Sequence, residues 1–243
     1  MEVQGNPYAF LHGHNLGGEP DLLLLVEECV EALCQRLQMR LSPRVRRTLR
    51  AGEYALRRVD VQRSARLGST AQVHALIDAQ ACAAAAARMK LYYEPGESLI
   101  VSPRSRYASV SLYAKHPEAR KSLPRDLPER ELHLAAVEGV ARYEARLWAM
   151  WLRRRKLDRA AWRPEVVTAV LDEQIARLPV LPESAFGDAR VAHLEPKTQL
   201  LHYGWKNGLH LRALFGAKAL RPHRRAVRAA LGIDIAHPRS AAP

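Results

Sequence analysis

Ser109-Val110-Ser111-Leu112-Tyr113-Ala114-Lys115-His116 alternates small polar and apolar residues and ends in a tyrosine, a lysine and a histidine. A period of two marks a strand that buries one face and presents the other. Outward from it, Arg57-Arg58-Val59-Asp60-Val61 lies upstream and Arg142-Tyr143-Glu144-Ala145-Arg146 downstream. Each is strand-like, and each carries a carboxylate boxed by arginines. A tyrosine with cationic neighbours is a nucleophile suited to a phosphodiester, so attacking group, metal-ligand candidates and phosphate binders fall in one region.

The spacing around these strands sets the architecture. Residues 21–41 place Leu22, Val26, Cys29, Val30, Leu33 and Leu37 at helical intervals, and the pattern stops at Ser42-Pro43. Residues 69–89 predict a second helix, with Ser69 as its N-cap and an alanine-rich face suited to close packing on a sheet. Between them, residues 54–62 read as a strand. Then come Leu91-Tyr92-Tyr93, a Pro95-Gly96 turn, Ser98-Leu99-Ile100-Val101 and residues 107–114, a meander of short strands. A helix over 129–137 and a strand over 140–148 follow. This order predicts an α+β fold, an antiparallel-rich sheet with helices packed on one face.

Arg153-Arg154-Arg155-Lys156 opens a more helical half. Residues 164–178 predict a helix, and Pro179, Pro182 and residues 183–188 a linker. Beyond it, 197–205, 209–215 and 217–231 read as short helices punctuated by Gly208 and Gly216. Three such helices with basic residues on the last are similar to a helix-turn-helix. The expected organisation is a catalytic domain over 1–160 and a small helical DNA-binding domain over 161–243.

Composition narrows the partners. Lys and Arg total 38 against 25 Asp and Glu, a formal charge of +13 spread along the 243 residues. Such a surface attracts polyanions through counterion release, which puts nucleic acid first and an anionic membrane next. The plainer alternative is a basic protein from a GC-rich genome. Cys29, Cys34 and Cys82 form neither a disulfide framework nor a close-spaced zinc pattern, and a reducing cytoplasm suits them. The longest apolar run, Leu22 to Val26, is too short to span a bilayer, and the first residues carry no signal-peptide pattern.

Tyrosine has a pKa near ten, so its hydroxyl needs cations or a metal-polarised phosphate to attack. On a continuous strand Tyr113 and Lys115 share a face, which would bring the ammonium to the phosphate under attack. The alternative is a half-buried strand tyrosine beside a surface lysine. Asp60 shares a face with Arg58 and Gln62, and Glu144 with Arg142 and Arg146. Such groups form either cross-strand ion pairs or oxygen ligands for Mg²⁺ or Mn²⁺ with arginines as a phosphate clamp. His12-Gly13-His14 puts two imidazoles on one face if extended, so His14 is a further ligand candidate.

The order of these segments resembles the gene II/X replication initiators of filamentous phages and related plasmids, relatives of the HUH rolling-circle nucleases. The matching residues are Gly5-Asn6-Pro7 with Phe10-Leu11-His12-Gly13-His14-Asn15-Leu16-Gly17, Arg58-Val59-Asp60, Leu112-Tyr113-Ala114-Lys115-His116 and Arg142-Tyr143-Glu144-Ala145-Arg146-Leu147. Toward the C-terminus they are Trp205-Lys206-Asn207-Gly208, Leu211-Arg212, His223-Arg224-Arg225 and Gly232-Ile233-Asp234-Ile235. The resemblance implies that Tyr113 nicks a single-stranded origin, becomes joined to the 5′ phosphate, frees a 3′ hydroxyl and later rejoins the circle.

It also implies Mg²⁺ or Mn²⁺ held by His14, Asp60 and Glu144, and Lys115 and Arg142 on phosphate. Arg58, Arg146, Lys206, Arg224 and Arg225 would be further DNA contacts. Host helicase and polymerase would be partners in the bacterial cytoplasm, with no membrane role. The competing expectation is a non-catalytic, replication-modulating remnant that only binds DNA. Two departures from the family pattern stand out. Relatives usually carry a long segment before the stretch matching Gly5-Asn6-Pro7, so the resemblance implies strands of the catalytic sheet that this chain lacks. Where they often have an aromatic residue before the basic pair, this chain has Leu220-Arg221-Pro222, with Pro222 expected to open a helix.

Overall fold

A computed structural model describes residues 2–18, 21–159, 162–179, 181, 194–206 and 208–237. The expected linker residues Pro182 and 183–188, and Asn207 of the C-terminal signature, lie outside the described residues. The elements are α1 (Pro7–His12), α2 (Leu22–Arg36), α3 (Pro43–Arg50), β1 (Arg58–Arg66), α4 (Thr70–Ala86), β2 (Leu91–Glu94), β3 (Ser98–Val101) and β4 (Ala108–Ala114). They continue with α5 (Lys115–Ser122), α6 (Arg130–Ala136), β5 (Val140–Trp148), α7 (Ala149–Arg154), α8 (Pro164–Ile175), α9 (Pro196–Lys206) and α10 (Leu211–Leu231).

The α+β expectation holds. The five strands form one sheet in the order β1-β5-β4-β3-β2, with every neighbour antiparallel. One face is apolar. Leu99, Val101, Val110, Leu112, Ala114 and Ala141 pack against α4, whose Ala81 and Ala84 allow the backbone to come close. Beside this layer, Val59, Val61, Ala108, Ala145 and Leu147 pack against Trp151 and Leu152 of α7 and Val170 and Leu171 of α8. The C-terminal helices have a smaller core of Leu201, Leu211, Leu220, Val227 and Ile235, and α9 rests on α4.

Four local readings are corrected by the structure. The helix expected over 21–41 stops at Arg36, and Ser42-Pro43 instead starts the next one: the Ser42 hydroxyl accepts from Val45 N at 3.3 Å and Pro43 occupies the first turn of α3, where no N–H is required. The strand expected over 54–62 runs from Arg58 to Arg66, because pairing with β5 from Arg58↔Trp148 to Arg66↔Val140 carries it through polar residues that show no apolar alternation. The segment at His12 is the end of a helix capped by Gly13 at φ 76°, so His12 and His14 do not share a strand face. Finally, Pro222 lies inside α10, whose break falls at Gly216 (φ 74°, ψ 160°). Among the described residues no helix is long and apolar enough to cross a membrane.

Candidate active site

The second face of the sheet is polar, and the cross-strand register arranges it in rows. Tyr113 of β4 pairs with Arg142 of β5, which pairs with Ser64 of β1. The next row is Ser111, Glu144 and Gln62, the next is Ser109, Arg146 and Asp60, and the last pairs Trp148 with Arg58. The alternation that sends Leu112 and Leu147 into the core therefore projects Tyr113, Glu144, Arg146 and Asp60 together on the opposite side.

Contacts join these side chains into a diagonal. The Tyr113 hydroxyl donates to Glu144 Oε2 at 3.3 Å. Arg146 bridges the two carboxylates, with Nη2 3.4 Å from Glu144 Oε1 and Nε 3.4 Å from Asp60 Oδ2. Arg58 grips Asp60 through both Nε, at 2.8 Å, and Nη2. Burial, then the negative charge of Glu144, holds the Tyr113 hydroxyl well above the ordinary tyrosine pKa, with Arg142 opposing. Tyr113 is therefore a neutral phenol at physiological pH, already touching a carboxylate that can accept its proton.

Arg58, Arg142 and Arg146 differ in accessibility. Arg142 is 3% exposed, whereas the side chains of Arg58 and Arg146 are 37% and 39% exposed. Arg142 spends its donors on protein: Nε on Ser64 Oγ at 3.1 Å, Nη1 on Asn15 O at 2.8 Å and Gln62 Oε1 at 3.0 Å, Nη2 on Leu16 O at 2.6 Å. Gln62 adds a bond to Gly17 O at 2.9 Å. Together they hold residues 15–17 over the Tyr113 end of the sheet. The fit is close, since a Cβ at Gly17 would collide with the Tyr8 hydroxyl.

Lys115 is placed differently from the strand reading. The strand ends at Ala114 and Lys115 opens α5, with Pro117 in a first turn that tolerates it. Its side chain is fully buried, with Nζ bonded to Asn15 Oδ1 at 2.9 Å and to Glu118, and 6.0 Å from the centre of the Tyr113 ring. Burial lowers its pKa, although the bond to Glu118 works the other way.

The expected metal ligands are only partly brought together. Asp60 and Glu144 are diagonal neighbours on the same face, linked by Arg146. His14 belongs to a separate ring cluster, 4.9 Å from His133 and 6.4 Å from His12 between centroids. Burial, followed by the charges of His133 and His12, lowers its pKa. Among the described residues no group of three or more His, Cys, Asp or Glu side chains is placed to hold a metal ion. The triple set does not fit as arranged. The pair Asp60 and Glu144 fits the habit of Mg²⁺, which takes one or two carboxylates and leaves its other positions to water and substrate phosphate.

In the C-terminal part, Lys206 ends α9, and Arg224 is clamped to Asp234, with Nε 2.6 Å from Oδ1 and Nη2 on Oδ2. Arg225 is exposed, and with Lys218, Arg221 and Arg228 it forms a single stripe at helical spacing, opposite the buried Leu220, His223 and Val227. The sequence reading missed Asn15, Gln62 and Glu118, which brace the site. It had a signal for Ser109 and Ser111, which share the parity of Tyr113.

The sequence has relatives among known proteins. The N-terminal family of the replication-associated gene II protein matches residues 1–165. A replication-associated gene II protein from Enterobacteria phage I2-2 is 26% identical over 241 residues, covering 97% of this chain and 70% of that protein. No solved structure matches the chain. The family match spans more than half of the sequence and includes the whole five-stranded sheet, and the chain belongs to the family of phage gene II replication-associated proteins.

Proposed function

We propose that this chain starts phage or plasmid DNA replication by nicking one strand of single-stranded origin DNA through Tyr113 and later rejoining it. The observation that supports this reading is the Tyr113 hydroxyl 3.3 Å from Glu144, on a polar sheet face that also carries the half-exposed Arg58 and Arg146. As the Tyr113 oxygen attacks phosphorus, the P–O3′ bond breaks and the phenolic proton passes to Glu144. The products are a 5′-phosphotyrosine and a free 3′ hydroxyl, which takes its proton from water. That end would prime a host polymerase, with a host helicase opening the duplex. Attack of a 3′ hydroxyl on the phosphotyrosine reverses the balance and rejoins the strand, so the bond energy is kept and no nucleotide is consumed.

Arg58 and Arg146 would exchange their carboxylate partners for the non-bridging phosphate oxygens, a charge-assisted geometry that guanidinium groups favour. Arg142 would act by position, keeping residues 15–17 over the tyrosine, and Lys115 would keep positive potential behind the ring. Asp60 and Glu144 would hold Mg²⁺ or Mn²⁺, which when bound neutralises phosphate charge. The stripe of Lys218, Arg221, Arg225 and Arg228 would hold the DNA backbone, with Arg224 shaping the helix end that carries it.

The test is formation of a denaturant-stable protein–DNA adduct on single-stranded DNA of the replicon that encodes the chain. Wild-type protein with Mn²⁺ is expected to form it and chelation to abolish it. Metal-independent binding with no adduct would instead favour the non-catalytic, DNA-binding remnant.

A further inference from the structure

At the end of the sheet beyond Asp60, Arg57, Arg106, Trp148, Met150, Arg153 and Arg154 line a cleft of about 720 Å³. That volume lies in the range of about 300–1,000 Å³ that ligand sites occupy. Three elements build it: the entry to β1, the loop before β4 and the β5–α7 junction. Its lining is of two kinds, flat or soft apolar surface and guanidinium groups, with no carboxylate among the lining residues. Met150 is 57% exposed.

Two observations connect the cleft to the tyrosine. Trp148 is the last residue of β5 and has the parity of Arg146 and Glu144, so its ring continues the same sheet face one row on. Arg58, which grips Asp60, also lies over the Trp148 ring at 5.3 Å. The diagonal from Tyr113 through Glu144, Arg146, Asp60 and Arg58 therefore leads into the cleft. At the far side Arg154 lies 5.8 Å from the centre of the Tyr107 ring.

The cations there are scarcely neutralised. Among the described residues Arg106, Arg153 and Arg154 form no ion pair, and Arg57 has only Glu2 at 3.1 Å, with both side chains largely exposed. Four positive charges around one indole would repel one another in an empty cleft, and a polyanion offering flat rings relieves that repulsion. Double-stranded DNA keeps its base faces stacked inside the helix. An unpaired strand presents both what the ring needs and what the arginines need.

We infer that this cleft seats unpaired nucleotides of the nicked strand, with a base stacked against Trp148 and Met150 and the backbone held by Arg106, Arg153 and Arg154. The inference rests on the strand-nicking reading for its direction toward Tyr113, but the binding it describes can be measured apart from cleavage. Its chemistry is sequence-tolerant, because every base has a π-face.

The experiment measures fluorescence anisotropy of a labelled oligothymidylate of about a dozen nucleotides on the full chain, across a salt series. Arg106→Ala with Arg153→Ala should weaken binding at least about tenfold and flatten the salt dependence by close to two phosphate contacts. Trp148→Leu should weaken it roughly five- to hundredfold, with Trp148→Phe restoring most of the affinity because a stacking ring returns. Urea unfolding of each variant separates lost binding from lost fold. Because the oligothymidylate need not be cleaved, the readout stands whether or not Tyr113 forms an adduct. Wild-type affinity and salt slope in the arginine variant would overturn the inference, even with adduct formation intact. Equal loss on a duplex of the same length would overturn the assignment to unpaired strands.

Discussion

Leu112 and Leu147 on one face of the sheet and Tyr113 and Arg146 on the other are sequence neighbours with opposite surroundings. Leu112 is 1% exposed and Leu147 fully buried against helices, where they can serve only the fold. Arg146 faces a surface that helices leave open and Tyr113 lies at its covered end beside α5, and each is held by a contact that a substrate could replace. The same period of two produced both. What differs is coverage: α4, α7 and α8 seal the first face, while residues 15–17, with α5 and α6 beside Val140, close one end of the second and leave the Arg146 end exposed. The difference teaches that the sheet's stability and its chemistry can be altered separately.

The sharpest way to break this comparison is Tyr113→Phe. It removes one oxygen and should lower adduct formation by at least about 10³-fold, the scale expected when a nucleophile is deleted. Stability should change by no more than about 1 kcal/mol, the net worth of one hydrogen bond. An adduct that survives in the Phe variant would remove Tyr113 as nucleophile. Tyr143 would be a poor replacement, because it packs on the apolar core, leaving Tyr107 as the next residue to change. On the opposite face, Leu147→Ala should cost about 3 kcal/mol in urea unfolding while leaving adduct yield per folded molecule unchanged.

A finer comparison lies within the polar face, between Arg142 and Arg146. Arg142→Met should destabilise the fold by about 2 kcal/mol, since it strands the Asn15 and Leu16 carbonyls and frees residues 15–17. Arg146→Met removes only long, half-exposed ion pairs, so its stability effect should be below about 1 kcal/mol. Its adduct yield should fall nonetheless, because Arg146 stands where a phosphate would lie. Equal unfolding curves for the two variants would dissolve the distinction.

How far the sequence revealed this site follows from the range of each signal. Strands β2 to β5 and helix α4 were legible because alternation, a Pro95-Gly96 turn and a Ser69 cap act within a few residues. The face shared by Tyr113, Glu144 and Asp60 was half legible: parity puts each on a side, but only pairing register decides that the sides coincide. Lys115 was misread because its parity with Tyr113 assumes the strand continues, and Pro117 with Glu118 already suits a helical first turn. The bracing of Arg142 by residues 15–17 lay out of reach, since it joins segments 126 and 127 positions apart through backbone carbonyls that no side-chain pattern encodes. The cleft around Trp148 was hidden for the same reason, its arginines arriving from three elements.

The smallest expected effect concerns the C-terminal helices, where Arg224 and Arg225 are adjacent but differ in their contacts, Arg224 bonded to Asp234 and Arg225 exposed. The Arg224 guanidinium bonded to Asp234 holds that carboxyl down to about 2 from an ordinary 3.8. A carboxyl depressed on folding contributes stability that is complete above the unfolded value and is lost as pH falls through the folded one. The contribution should therefore disappear between about pH 4 and pH 2 and be absent in Asp234→Asn. Solvent exposure keeps it small. A local reporter exists, because the Trp205 indole donates to His237 O at 2.7 Å, three residues beyond Asp234. Its fluorescence should titrate in that window in the wild type and not in Asp234→Asn, ahead of global acid unfolding. Arg225→Ala should leave this titration untouched and weaken DNA binding, and Arg224→Ala should do the reverse. If both substitutions weaken binding alike without moving the titration, Arg224 is itself a DNA contact and the clamp is incidental.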